Sequence, residues 1–447
     1  MSVTTRTTRT TSKPATSQAA ALGEATVAAL DARFQERRAQ VPVLARRAKA
    51  EGVEEIRSAQ DMVGLLFPHT TYKSYPETIV SRGRWKQLNR WLDSVSTYRV
   101  ADVDVAGVED LDGWIARLEE HGHLVSSSSG TSGKASFLNK TMADREASGQ
   151  NLLDSLSWLG MPPAREWHVV PVGPDTGISS AMYIRDVFLS NYRRHDALPL
   201  PESKPVTDHH KYMARLGAMR RAIADGTASP DEVAAFEAEG AARQADVEDR
   251  LQFLAEQVIA HRDENIFFNS MFPMLYRLSE ILREKGVAPG DITGANGLQV
   301  AGGLKGMTLP PDYRERIFEL LNIQPSRFLH YYAMQEVNLR SVKCLSGRYH
   351  VPPGLVLFVL DKFGETLAPL SDGQVEGRAA FFDFSVDGRW GATISGDQII
   401  ADFGVCSCGR EGPTVAEDIT RYKDLPDGDK ITCAGTMDAY VRGFIDN

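Results

Sequence analysis

Cysteine is scarce in this chain, with 4 among 447 residues. So few cannot make a disulfide framework, and no signal-peptide apolar stretch precedes the first helical pattern, so a reducing, cytoplasmic setting is expected. Also missing is any apolar run close to the roughly 20 residues that a membrane helix needs, so no membrane partner is expected. Positive charge is in deficit: 50 Lys and Arg face 59 Asp and Glu, for a net charge of −9. A surface short of cations argues against general affinity for nucleic-acid phosphates. Acids are absent from residues 1–20, which are rich in Thr and Ser and carry Arg6, Arg9 and Lys13. Lacking an apolar face, this stretch reads as a disordered arm and not as a transit peptide. What remains, 42% hydrophobic and 24% charged, suffices for one large domain or two to three smaller ones.

The most informative stretch is Ser126-Ser-Ser-Ser-Gly130-Thr-Ser-Gly133-Lys134-Ala-Ser136, set between the apolar pairs Leu124-Val125 and Phe137-Leu138. Glycines let backbone N–H groups approach an anion, hydroxyls add donors, and the lysine brings a mobile positive charge. A polyphosphate fits such a loop. It is not a Walker A loop, because Ser128 stands at the first glycine position and Ala135 follows the lysine. A flexible Ser/Gly linker is the plainer alternative, but the flanking apolar pairs give a linker no reason to be there.

Along the chain, Leu22 to Gly52 reads as helix, Ala59 to Leu66 as a second short one, and Trp85 to Leu92 as a third beyond the proline-punctuated loop Phe67–Pro76. Met142 to Leu159 has helical spacing, and Trp167-His-Val-Val-Pro-Val172 reads as a buried strand in which His168 is a satisfied core residue. A helix around Met182 to Leu189 continues the α/β alternation, and Asp231 to Arg262 is one long amphipathic helix. His209-His210 is expected on the surface, since adjacent helical residues diverge. Leu298-Gln-Val-Ala-Gly302-Gly303 reads as a strand entering a glycine turn, with a helix from Pro310 to Leu321 after it.

Three segments in order carry a resemblance. Ser128-Ser129-Gly130-Thr131-Ser132-Gly133-Lys134 resembles the phosphate loop of the adenylate-forming superfamily, His330-Tyr331-Tyr332-Ala333-Met334-Gln335-Glu336 resembles its Tyr-Gly-x-Thr-Glu motif, and Ser395-Gly396-Asp397 its Thr-Gly-Asp segment. The nearest likeness is to phenylacetate-CoA ligases and to the acyl-protein synthetases of bacterial fatty acid reductase systems. The resemblance implies an α/β fold of layered αβ sheets plus a β-barrel-like subdomain, with a helical N-terminal cap. It divides the chain into a tail (1–20), cap (21–95), αβ adenylation core (96–328) and β-rich subdomain (329–447) that ends at a hinge motif with no C-terminal lid.

The implied activity is ATP-dependent conversion of a carboxylic acid to an acyl-adenylate, with pyrophosphate released, then acyl transfer to a thiol. Tyr332 would stack on adenine, Glu336 hold Mg²⁺, Asp397 bind ribose, Gly302 and Gly303 lie along the adenosine, and Gln335 stand at the phosphate-contacting threonine. Lys134, with Arg410, would carry charge that a lid lysine otherwise neutralises. The thiol would be Cys433, CoA or a carrier protein, with a reductase as a further partner. Transfer to a nitrogen nucleophile and a catalytically silent partner in a biosynthetic complex are the alternatives. Cys344, His350, Cys406 and Cys408 offer three thiolates and an imidazole, a set that suits a structural Zn²⁺.

Overall fold

The structure is a computed structural model that describes residues 18, 22–128, 134–172, 179–202, 208–300, 304, 307–429 and 431. The helix expected from Leu22 to Gly52 is two helices, Glu24–Gln40 and Pro42–Glu51, with Val41 extended between them. Pro42 is the cause: it has no N–H to give to the preceding turn and forces the residue before it out of the helical region. Strand β1 (Phe67–Pro68) follows a short helix capped by Ser58 and Asp61. Helices Trp85–Ser94 and Leu111–Glu120 bury Trp91 and Trp114 completely. The second of these went unread, because Leu111, Trp114, Ile115 and Leu118 span too few turns to stand out.

These tryptophans seat a hairpin made of β2 (Ser126–Ser127) and β3 (Phe137–Leu138). Phe137 is fully buried, with its ring 5.2 Å from Tyr75, 6.5 Å from Trp91 and 5.4 Å from Trp114. Removing such a ring costs about 3–5 kcal/mol, so the hairpin's base is rigidly set. Side chains alternate along the strands. Ser126 and Leu138 therefore face one way, and Ser127 and Phe137 the other.

A parallel sheet runs in the order β4 (His168–Pro171), β5 (Ile266–Ser270), β6 (Asn296–Val300) and β7 (Ile323–Leu329). Its two faces are covered as alternation demands. Phe267 packs with Leu152, Leu156 and Phe188 from helices Met142–Trp158 and Ser179–Tyr192, while Phe268 packs with residues of Pro230–Ala260 and Phe272–Glu284. Gly297 is required here: a Cβ would lie 2.8 Å from the Phe267 ring. Pro325 is tolerated in β7 because that strand is the edge and its register slips opposite β6.

One residue beyond β7 the chain enters a nine-stranded sheet, in which β8 (Tyr331–Tyr332), β9 (Ser341–Lys343), β10 (Tyr349–His350), β11 (Leu355–Leu360), β12 (Gln374–Asp383), β13 (Ala392–Asp402) and β14 (Thr414–Val415) lie in the order β11-β12-β13-β14-β10-β9-β8. β15 (Thr420–Arg421) and, in parallel, β1 also pair with β13. The helical cap is thus stitched to this sheet. Leu30, Phe34 and Trp91 share one apolar core with Phe137, Phe382, Trp390 and Ile394. Among the described residues, no helix is long and apolar enough to cross a membrane.

Candidate functional site

The turn after β8 carries Gln335 and Glu336 and is held by a buried polar network. Arg389 donates to the Glu336 carbonyl at 2.8 Å, the Asn338 N–H donates to Asp383 at 2.7 Å, and the Asn338 amide donates to Asp144 at 2.7 Å. Asp144 and Arg389 are both fully buried, 3.8 Å apart. Burial alone would raise the Asp144 carboxyl, but Arg389 and hydrogen bonds from Asn338 and the Asp387 N–H hold it below its ordinary range. Charge fixed beneath the turn aims the motif outward.

Gln335 ties this turn to the β2–β3 hairpin, its amide donating to Ser126 Oγ at 2.8 Å and to the Ser127 carbonyl at 2.5 Å. At the end of β8, the Tyr332 hydroxyl donates to Asp397 at 2.7 Å, with Arg421 3.7 Å from the other carboxylate oxygen. Burial, then the Asp397 charge, push the Tyr332 phenol well above its ordinary value, so it stays a donor. The structure therefore brings Ser126, Tyr332, Gln335, Glu336 and Asp397 to one region. Lys134 is at the hairpin's far end, its ammonium 4.2 Å from the centre of the Tyr75 ring. Ser128 hydrogen-bonds across the hairpin to Ser136. Ser129, Gly130, Thr131, Ser132, Gly133, Gly302, Gly303 and Cys433 lie outside the described residues.

Between the parallel sheet and this turn lies a cleft of about 460 Å³, with Ser126, Gln335, Lys140, Gln299, Met182 and Tyr331 on its walls. Trp158 and Trp167 lie elsewhere, against His350 and Phe267. Gln299 is 2% exposed and its amide oxygen has no hydrogen-bond partner among the described residues. Lys140 was not anticipated: nothing in its neighbourhood in sequence marks it. Burial, reinforced by Arg389, brings its ammonium down to about 8. His69 was also missed. It belongs to the loop after β1 and lies against Gly396 and 4.0 Å from Asp429. Burial lowers its pKa, partly offset by Glu336.

The second assembly is the cysteine–histidine cluster. The ligand atoms of Cys344, His350, Cys406 and Cys408 all lie within 4.8 Å of one another, with Cys344 Sγ 3.9 Å from Cys406 Sγ and Cys408 Sγ 3.3 Å from His350 Nε2. Bonds of about 2.3 Å to a tetrahedral Zn²⁺ put two sulfurs about 3.8 Å apart, so the donor set fits that ion. Two matching turns present the sulfurs. Gly347 (φ 80°) and Gly409 (φ 86°) each stand three residues after a cysteine and return an N–H to its carbonyl, at 3.0 and 2.8 Å. Arg410 is here, its guanidinium 3.6 Å from the centre of the Trp158 ring, and not beside Tyr332 and Asp397.

Two histidine expectations divide. His168 is a satisfied core residue: it meets Glu264 at 3.0 Å and accepts from the Leu198 N–H at 3.2 Å. His210 is not on the surface, its side chain being 10% exposed against Asp112. Asp112 draws it in by accepting from the first turn of helix His209–Ala224, a long-range contact that local spacing does not reveal.

No family model matches the sequence, and no curated protein matches it. Solved structures do. An open conformation of 2-hydroxyisobutyryl-CoA ligase in complex with 2-HIB-AMP and CoA is similar over 90% of this chain and 75% of its own, at 13% identity and a TM-score of 0.51. The same enzyme in the postadenylation state, in complex with R3-HIB-AMP, is similar over 89% and 68%, at 13% identity and a TM-score of 0.50. Mixed α/β architecture, the hairpin facing the Tyr332–Glu336 turn, and this similarity together give the chain the fold of the adenylate-forming enzymes.

Proposed function

We propose that the chain activates a small carboxylic acid with ATP and passes the acyl group to a thiol. The observation that carries the reading is the junction of three distant motifs: Gln335 on the phosphate hairpin and Tyr332 on Asp397, beside one cleft. A substrate carboxylate oxygen bonds to the α-phosphorus while the α–β bridging bond breaks and pyrophosphate leaves. Tyr332 and Asp397 position the nucleoside, Lys134 and the hydroxyls of the hairpin meet the polyphosphate, and Lys140 adds positive charge in the cleft. Glu336, a half-buried carboxylate beside the hairpin, suits one Mg²⁺. Bound there, the ion would neutralise charge building on the phosphates.

The acyl acceptor is CoA, a carrier protein or Cys433, and the sequence resembles both the CoA ligases and the branch that acylates its own protein. Cys344, His350, Cys406 and Cys408 would hold a structural Zn²⁺. One observation favours the silent-partner reading: the Gln335 amide already bonds the hairpin, where a phosphate-contacting group would be free. ATP–pyrophosphate exchange over a panel of carboxylic acids decides. Exchange with one class of acid is expected; nucleotide binding without exchange for any acid selects the silent partner. Mass spectrometry of the chain after turnover then tells whether Cys433 is acylated.

A further inference from the structure

The face of the phosphate hairpin turned away from the cleft carries a second piece of chemistry. Asp112, in the first turn of helix Leu111–Glu120, accepts from the backbone N–H of His210 at 3.0 Å and of Lys211 at 2.8 Å, and from His210 Nδ1 at 2.7 Å. With Nδ1 donating to the carboxylate, Nε2 is left as an acceptor, and it is hydrogen-bonded to Ser127 Oγ. A hydroxyl, an imidazole and a carboxylate thus stand in line, from three elements. The tautomer is fixed twice over, because the carboxylate that orients the ring also receives the helix's first N–H groups. Burial works to raise the Asp112 carboxyl, and these hydrogen bonds outweigh it, so the carboxylate stays ionised.

Ser127 shares its face with Phe137, so its hydroxyl points away from Ser126 and the cleft. Its neighbour Ser128 and its partner His210 line a cavity of about 120 Å³, with Lys134, Arg221 and Glu77 giving further polar walls and Val80, Met213 and Phe137 apolar ones. That volume admits a short acyl group, and Arg221 suits an anionic leaving group or a developing oxyanion. Nucleophile, base and orienting acid with an adjoining pocket are the parts of a serine acyl-transfer site.

We propose that Ser127 is a base-activated nucleophile that accepts short acyl groups from activated esters or anhydrides and hydrolyses them. Ser127 Oγ bonds to the carbonyl carbon as its proton passes to His210 Nε2, and the carbonyl π pair moves onto oxygen, opposite Arg221. The pair returns, the bond to the leaving group breaks, and that group takes the proton from His210. Water then repeats the sequence on the acyl-serine, giving the free acid and restoring the hydroxyl. Nothing in this chemistry requires adenylation, so it stands or falls apart from the reading above.

A fluorophosphonate probe on the full-length chain tests it, since the serine oxygen bonds to phosphorus and fluoride leaves. Peptide mass spectrometry is expected to place the adduct on Ser127, with Ser127→Ala unlabelled there. His210→Ala is expected to slow labelling about 100-fold, the lower end of what a general base contributes, and Asp112→Asn at least about tenfold. His210→Gln keeps a hydrogen-bonding side chain against the hairpin without the base and covers the case in which the alanine variant unfolds. No adduct on Ser127 in the wild-type protein overturns the proposal, as does wild-type labelling speed in folded His210→Gln, which would make the contact a latch.

Discussion

The cysteine–histidine cluster collects its four ligand atoms within 4.8 Å from two short turns and one strand, whereas the cleft draws on residues from Ser126 to Asp397 carried by separate sheets. Local turns make the first: Cys344 exchanges backbone hydrogen bonds with Gly347 and Arg348, and Cys406 with Gly409 and Arg410. The second exists only when the hairpin, the β8 turn and β13 have all docked. A closed, locally made centre should be strong in stability and silent in turnover, and an open, assembled one the reverse.

The sharpest way to break that contrast is Cys406→Ser. About one zinc per chain by elemental analysis, lost in the variant, is expected, with a fall in melting temperature on the order of 10 °C or more, since structural zinc binding in small zinc domains is worth about 10 kcal/mol or more. Unchanged melting and no metal in the wild type would erase the distinction. Next comes Glu336→Gln, for which exchange should drop about 10²–10³-fold at unchanged melting temperature, as for loss of one preorganised electrostatic group. Tyr332→Phe removes the hydrogen bond to Asp397, and KM for ATP is expected to rise about tenfold, the worth of a hydrogen bond to a charged group.

Lys140 supplies a pH test with two opposite signs. Its pKa is lowered to about 8, so between about 8 and the ordinary lysine value near 10.4 the unfolded chain holds a proton that the folded one has released. Stability from this group therefore rises with pH across that window, while anion affinity in the cleft falls. Lys140→Met should flatten both, read by melting curves and by KM for ATP. The smallest effect expected is from Arg410→Ala: its contact with Trp158 is worth about 0.5–1 kcal/mol at an exposed site, and exchange should stay within about twofold. A large loss of exchange would move Arg410 back to the nucleotide.

Sequence and structure agree where the signal is local or periodic. Met142–Trp158, His168–Pro171 and Pro230–Ala260 lie within a residue or two of their expected bounds, because their apolar spacing runs uninterrupted. Tyr332, Gln335, Glu336 and Asp397 could be picked out because they sit in short motifs. Lys140, His69 and His210 could not: each owes its environment to a partner 98 to 360 positions away, such as Asp429 for His69, or Asp112 for His210, and no window along the chain contains both. The one-helix reading of Leu22–Gly52 failed for a different reason, the weight given to composition over Pro42.

The two-residue strand Phe67–Pro68 has a consequence for how the chain comes into being. Its neighbour, β13, and the Trp390 indole that bonds the Leu65 carbonyl are separated from it by about 325 positions. A ribosome must therefore deliver the chain as far as β13 before the helices around β1 find their seat, and loop closure over that distance slows assembly. Nascent chains will spend their longest exposure with the Trp91 and Phe137 neighbourhood uncovered, which makes this the segment a chaperone would have to shield.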